Sequence, residues 1–282
     1  MTVISEKRLG KSKIFIIGCN GRLAKAIVNR YSENACYCLK REVYEDWSDE
    51  NKKLQIREFF ESKATEESII FITSGVLNSN LNNELLNKVN YHLPSNIIKS
   101  LEGLKIKIVT FGTILEKLVD STNPYVKSKI RLSNKIDSFN SKLTKVLHFR
   151  LHTLYGYGYP SDFMFLGQLY NAIKNGEKFN MSAGYQIREY HHLDDVVKSV
   201  DIILSKKTQG IIELTNGNGI KLRDLATGIF KEFNVIHLLN IGDLDIQHKD
   251  KFTNDYTINK DLKLVDFRDP INGVCDYLRP IL

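Results

Sequence analysis

The sequence predicts an α/β chain built on a doubly wound parallel sheet. Three observations lead there. Short apolar runs rich in β-branched residues alternate with stretches of helical periodicity from residue 13 onward. The first run breaks at Gly18-x-x-Gly21-x-x-Ala24, and a helical pattern starts from that turn. Further along, Tyr125 and Lys129 stand four residues apart behind Asn123 and Pro124, so a helix stacks them on one face.

In chain order, strands are expected at 13–17, 35–39, 69–73, 106–111 and 146–151, with helices at 56–62, 81–100 and 121–139 between them. Residues 1–156 form a Rossmann-type domain on this reading, joined by a returning strand near 211–215. After Gly156 the sequence turns Gly-, Tyr- and Pro-rich at Tyr157-Gly158-Tyr159-Pro160. Residues 157–282, with a helix at 221–233, make a smaller substrate lobe interleaved with the first domain.

The chemistry of each motif follows from its residue types. Gly18, Asn20, Gly21, Arg22 and Leu23 form a turn whose small residues let a pyrophosphate approach a helix N-terminus. A phenol is a weak acid at neutral pH, and an ammonium beside it should lower its pKa, which suits proton exchange with an alcohol or ketone oxygen. Tyr125 and Lys129 therefore read as a catalytic pair.

Composition narrows the setting. The 282 residues are 42% hydrophobic and carry a net charge of +7. No apolar stretch approaches the roughly 20 residues that span a bilayer, and residues 1–8 are too polar for a signal peptide. The basic residues are scattered, so a polyphosphate ligand is favoured over nucleic acid. Cys19, Cys36, Cys38 and Cys275 lack metal-ligand spacing. Cys36 and Cys38, at strand period, read as small core residues, which implies a reducing, cytoplasmic setting without a metal.

Several ordered segments resemble the extended short-chain dehydrogenase/reductases that modify nucleotide-activated sugars. Thr73-Ser74-Gly75 resembles the end of the family strand beside the cofactor, and Asn90 the helix Asn that follows. Arg150 to Gly156 is similar to an Arg-x-x-Asn-x-Tyr-Gly turn, with Thr153 in place of Asn. Gly184 to Val196 resembles Gly-x-x-x-Arg-Asp-Tyr-x-His-Val-Asp-Asp.

The resemblance implies a set of roles. Gly18, Asn20, Gly21, Arg22, Leu23, Thr73, Ser74, Gly75, Asn90, Tyr125 and Lys129 would hold the dinucleotide. Lys40 and Arg41 close the second strand where an NAD-specific protein carries an acid, so NADP(H) is favoured; Glu42, one residue on, keeps NAD(H) open. Phe111 falls where the family has a catalytic hydroxyl, so Thr113, or failing it Thr110, would serve. Thr110, His152, Thr153, Arg188 and Arg268 are the substrate candidates, the two arginines for a diphosphate. His191 and His192 are read as structural or pocket-lining.

No acid pair follows Thr113, as a dehydratase would need, and no Cys lies between Thr110 and Tyr125. Hydride transfer remains. The expectation is NADPH-dependent reduction of a 4-keto nucleotide sugar in deoxysugar or surface-polysaccharide synthesis, by a homodimer. A 4-epimerase retaining NAD is the alternative, and a non-catalytic redox-sensing relative a third.

Overall fold

The computed structural model describes residues 13–78, 80–118, 121–207, 209–245 and 257–282; the polar segment 1–8 lies outside them. The chain divides into two compact units, residues 1–151 with 204–213, and residues 152–203 with 214–282.

The first unit is a six-stranded, wholly parallel sheet with helices between successive strands. Its elements are β1 (Ile14–Ile17), α1 (Arg22–Tyr31), β2 (Cys36–Leu39), a single turn Arg41–Tyr44, α2 (Lys53–Lys63), β3 (Ile69–Ile72), α3 (Asn83–Asn87), α4 (Leu93–Ser100), β4 (Lys107–Thr113), α5 (Pro124–Asp137), β5 (Lys145–Leu151) and β6 (Gly210–Glu213). The strand order is β6-β5-β4-β3-β1-β2. The reversal between β1 and β3 is the topological switch point at which ligands of such sheets bind.

Both faces of the central strands are covered, which explains their continuous Ile, Val and Phe runs. On one face Phe15, Ile17, Ile70, Ile72, Ile108 and Val146 pack with Phe60, Ile97, Leu132 and Ile136 of the helices. Phe111 enters a row of rings with Phe71 and Phe149, at centroid distances of 6.4 and 6.1 Å.

One expectation is refined here and one is corrected. The helix expected over 81–100 is α3, a π-helical segment Lys88–His92, and α4. The Leu93 N–H bonds to Lys88 O, five residues back, just before Pro94, which has no N–H to donate. Cys36 and Cys38 are not core residues. Their strand is the sheet edge, and Cys36 is half-buried while Cys38 is exposed. None of the four cysteines is in a disulfide.

The second unit has its own core. Tyr155, Leu169, Tyr170, Phe179, Tyr190, Leu225, Ile229, Phe230 and Val274 pack together beneath short two-stranded pairs. Those pairs are Thr153–Tyr155 with Tyr190–His192, Phe179–Met181 with Leu239–Ile241, and Ile187–Arg188 with Ile220–Lys221. The helices Phe165–Asn175, Leu222–Glu232 and Pro270–Leu278 contribute the rest of that core. Among the described residues no helix is long and apolar enough to cross a membrane.

Candidate active site

The turn after β1 is built around one glycine. Gly18 has φ +98°, and a Cβ there would stand 2.5 Å from the Ser74 nitrogen, so only glycine fits. Gly21 donates to Gly18 O at 3.1 Å and caps α1, which opens with Arg22 and Leu23, both half-buried. The Thr73 hydroxyl donates to Ile17 O at 2.9 Å, tying β3 to β1. Ser74 Oγ is buried without a partner.

Gly18, Asn20, Gly21, Lys40, Arg41, Glu42, Thr73, Ser74 and Gly75 line one cavity of about 1010 Å³. A tight glycine turn, a helix N-terminus, an unpartnered hydroxyl and two basic side chains can together hold a phosphate-bearing ligand. Asn90 stands behind the cavity's Gly75 and Val76 edge. It accepts from Val76 N–H, donates to Val76 O and reaches Ser128 Oγ on α5 at 3.1 Å. The sequence reading missed Ser128.

At the C-terminal end of β4, α5 presents the Tyr–Lys pair. Asn123 starts this helix by accepting the Tyr125 and Val126 N–H groups, and Pro124 occupies the first turn. Lys129 is buried, and its ammonium donates to Phe111 O at 2.8 Å. Phe111 thus takes part through its backbone, while its ring is in the aromatic row.

The two threonines differ in what their hydroxyls do. Thr110 is 1% exposed, and its Oγ1 meets His148 Nδ1 at 2.8 Å, as the β4–β5 register requires. Thr113 is half-buried, and its Oγ1 accepts the Leu115 N–H at 3.3 Å. That acceptor role leaves the Thr113 hydroxyl proton able to point elsewhere.

Glu116 closes this corner, and nothing in the motif reading singled it out. Only 4% exposed, it accepts from Thr113 N–H at 2.9 Å and Arg150 Nε at 3.0 Å, and meets His148 Nε2 at 3.1 Å. Arg150 also donates to Ser133 Oγ of α5. Burial favours the neutral acid, yet the bonds and charge of His148, the Thr113 N–H and Arg150 outweigh it and leave the pKa low.

The titration of the pair differs in direction from the sequence expectation. Tyr125 is raised where the spacing predicts it lowered. Burial, then the charge of Glu116, pushes the Tyr125 pKa above its usual value. Burial also lowers Lys129 to about 8, against the opposing pull of Glu116.

In the second unit the remaining candidates are tied to protein groups. Arg268 pairs with Asp195 at 3.1 Å and Asp194 at 3.4 Å. Arg188 is half-buried and donates to Ile187 O. Glu189, fully buried, accepts from Thr215 Oγ1, Asn216 N–H and Gly217 N–H and meets His191 Nε2 at 2.8 Å. His152 lies 3.6 Å from the same carboxylate, its ring 5.4 Å from that of His191; the Thr153 N–H donates to Glu189 O. His192 packs between Tyr155 and Tyr157. Among the described residues no cluster of His, Cys, Asp and Glu is placed to hold a metal ion.

A parallel doubly wound sheet with a glycine turn at its switch point defines a dinucleotide-binding enzyme class. The chain belongs to the NAD-dependent epimerase/dehydratase family, whose model matches residues 14–214, and so to the extended short-chain dehydrogenase/reductases, which are NAD(P)-dependent enzymes. Among solved structures it is similar to UDP-glucose 4-epimerase from Thermotoga maritima, at 15% identity and TM-score 0.76 over 95% of this chain and 98% of that one. It is also similar to UDP-N-acetylglucosamine 4-epimerase from Methanobrevibacter ruminantium, at 16% identity and TM-score 0.75 over 95% and 96%. A dTDP-4-dehydrorhamnose reductase from Clostridium acetobutylicum matches at 16% identity and TM-score 0.73 over 95% and 99%. No curated protein sequence matches the chain.

Proposed function

We propose that this protein reduces the 4-keto group of a nucleotide-activated sugar, with NADPH as reductant. The similar structures include both a 4-keto reductase and 4-epimerases, so the choice rests on this chain's own groups. The observation that carries it is the pair Lys40 and Arg41 on the wall of the cavity, which suits the 2′-phosphate of a dissociable NADPH, and the protonation of Tyr125 agrees with it. Burial and the neighbouring Glu116 carboxylate keep the phenol protonated at neutral pH. A reductase needs that acid first, whereas oxidation of a sugar alcohol needs a base first.

On this reading Tyr125 gives its proton to the ketone oxygen as that oxygen gains charge, and Thr113 donates a hydrogen bond to the same atom. Lys129 holds positive charge beside the phenol and supplies a proton after turnover. Gly18, Asn20, Gly21, Arg22, Leu23, Ser74 and Gly75 would hold the dinucleotide, with Thr73 and Asn90 bracing the strand end behind it. The bound nicotinamide supplies the hydride when reduced. Lys40 and Arg41 at the cavity wall favour a 2′-phosphate, while Glu42 in the same wall supports the NAD-retaining 4-epimerase as the second reading.

Arg188 and Arg268 are proposed to meet the substrate diphosphate, Arg268 by leaving part of its pairing with Asp194. Glu116 argues against dehydration, since its carboxylate is buried and already engaged by Thr113, His148 and Arg150. A cytoplasmic homodimer acting in deoxysugar or surface-polysaccharide synthesis belongs to the same proposal.

The test is to supply a 4-keto nucleotide sugar with NADPH or NADH and follow reduced nicotinamide and product mass. Consumption of NADPH with a gain of two hydrogens is expected. Isomerisation of a nucleotide sugar with no net cofactor consumption would replace this reading with the epimerase.

A further inference from the structure

We propose that Glu116 is a positioning residue of the reaction centre, fixing the turn that carries the Thr113 hydroxyl and placing a permanent negative charge under the Tyr125–Lys129 pair. This inference rests on the reductase reading and deepens it.

The geometry begins at Gly112. A Cβ at this position would overlap both Glu116 Oε1 and His148 Nε2, so the carboxylate and the imidazole lie directly against the backbone of β4. The strand can accept them only because residue 112 has no side chain. Glu116 then returns to Thr113 N–H while Thr113 Oγ1 receives Leu115 N–H, a reciprocal cap that closes the short helical turn Ile114–Lys117. The cap consumes an acceptor site of the Thr113 oxygen and leaves its proton for a substrate oxygen.

Glu116 also acts through its charge. Glu116 is buried and bonded on three sides, so its charge is not screened by water as a surface carboxylate would be. His148 and Arg150 of β5 bond it, and its charge reaches Tyr125 and Lys129 of α5, the helix packed on the turn Ile114–Lys117. Arg150 is shared with Glu213 of β6, which also pairs with Lys117. Negative charge at Glu116 favours the ammonium of Lys129 and disfavours the phenolate of Tyr125. Both effects hold the pair in the fully protonated state that a ketone reduction starts from. Glu116 does this without touching a reacting atom.

The test compares wild type with Glu116→Gln, which keeps shape and removes charge, and Glu116→Asp, which keeps charge and withdraws from Thr113. Two readouts are used: kcat across pH with a 4-keto nucleotide sugar, and fluorescence titration of NADPH binding across pH. Glu116→Gln should lower kcat on the order of 10-fold and move the alkaline fall of kcat to lower pH by about 0.5–1 unit, the size of one charge interaction. Glu116→Asp should lower kcat with the alkaline fall left in place. If Glu116→Gln does not fold, Glu116→Asp alone decides the positioning role. Full kcat in the variants that fold, with no movement of the alkaline fall, overturns the inference. Wild-type protein that binds NADPH but reduces no 4-keto sugar overturns the reductase reading instead, and the pH dependence of its NADPH binding still shows whether Glu116→Gln lowers the Lys129 pKa.

Discussion

Lys129 of α5 donates its buried ammonium to the carbonyl oxygen of Phe111 on β4, 2.8 Å away. The bond fixes the Tyr–Lys helix to the strand end and explains how Phe111, with no hydroxyl, still belongs to the centre. The ammonium has three N–H donors, so it can keep this bond and still meet a ribose hydroxyl. Lys129→Met should therefore weaken NADPH binding as well as turnover. Tyr125→Phe should spare binding and lower kcat by about 10²–10⁴-fold, the usual share of a positioned acid. Fluorescence titration beside steady-state rates separates the two, and wild-type turnover by Tyr125→Phe would remove the phenol from the mechanism.

The pH profile has a definite sign. Burial brings Lys129 to about 8, so its ammonium is present below that value and lost above it. Tyr125, pushed upward by burial and Glu116, stays protonated over the same range. Reduction rates at saturating NADPH should fall as pH rises through about 8. A flat profile to pH 10 would show that the Lys129 charge is not needed.

Much of this centre was legible in advance because its signals are local. The glycine turn, the β-branched strands and the four-residue Tyr–Lys spacing each follow from residues close in sequence. Glu116 was not, since a charged residue after a strand reads as solvated until β4 and β5 are in register and Gly112 is seen to make room for it. The π segment Lys88–His92 was hidden for a similar reason: Asn90 looks like any helical polar residue until its side chain is found bonded to Val76 and Ser128. Cys36 and Cys38 misled because strand period does not tell an edge from a centre.

Gly112→Ala tests the packing directly. The new methyl would displace Glu116 and His148 together, and overpacking of this kind costs about 1–3 kcal/mol. Thermal unfolding should report that loss, and kcat should drop more than the stability change explains, because Thr113 moves with the turn. An alanine variant of wild-type stability and rate would mean that the corner relaxes freely.

Cofactor preference can be read from Lys40 and Arg41. If they meet a 2′-phosphate, the double change Lys40→Ala with Arg41→Ala removes two charge-assisted bonds, each worth about 1.5–3 kcal/mol at most. The NADPH to NADH ratio in kcat/KM should fall by about 10²-fold or more, chiefly through KM. An unchanged ratio would assign the ribose end to Glu42.

Acid should weaken the second unit through Glu189. Its carboxylate is fully buried, and burial alone would raise its pKa. The bond from His191, the charges of His152 and His191 and the Thr215 hydroxyl overcome this and hold it at about 2, against an ordinary value of 4.5. A carboxyl whose folded pKa is depressed contributes stability above its unfolded pKa and loses it as pH falls towards the folded one. The contribution here is on the order of 3 kcal/mol, lost between about pH 4.5 and about pH 2. Glu189→Gln should be less stable than wild type at pH 7, and the difference should shrink across that interval. Equilibrium denaturation at a series of pH values measures it, with tryptophan-independent far-UV dichroism as the probe, since Trp47 lies in the other unit. A gap between the two proteins that stays constant from pH 7 to pH 2 would show that the carboxylate's charge does not brace this unit.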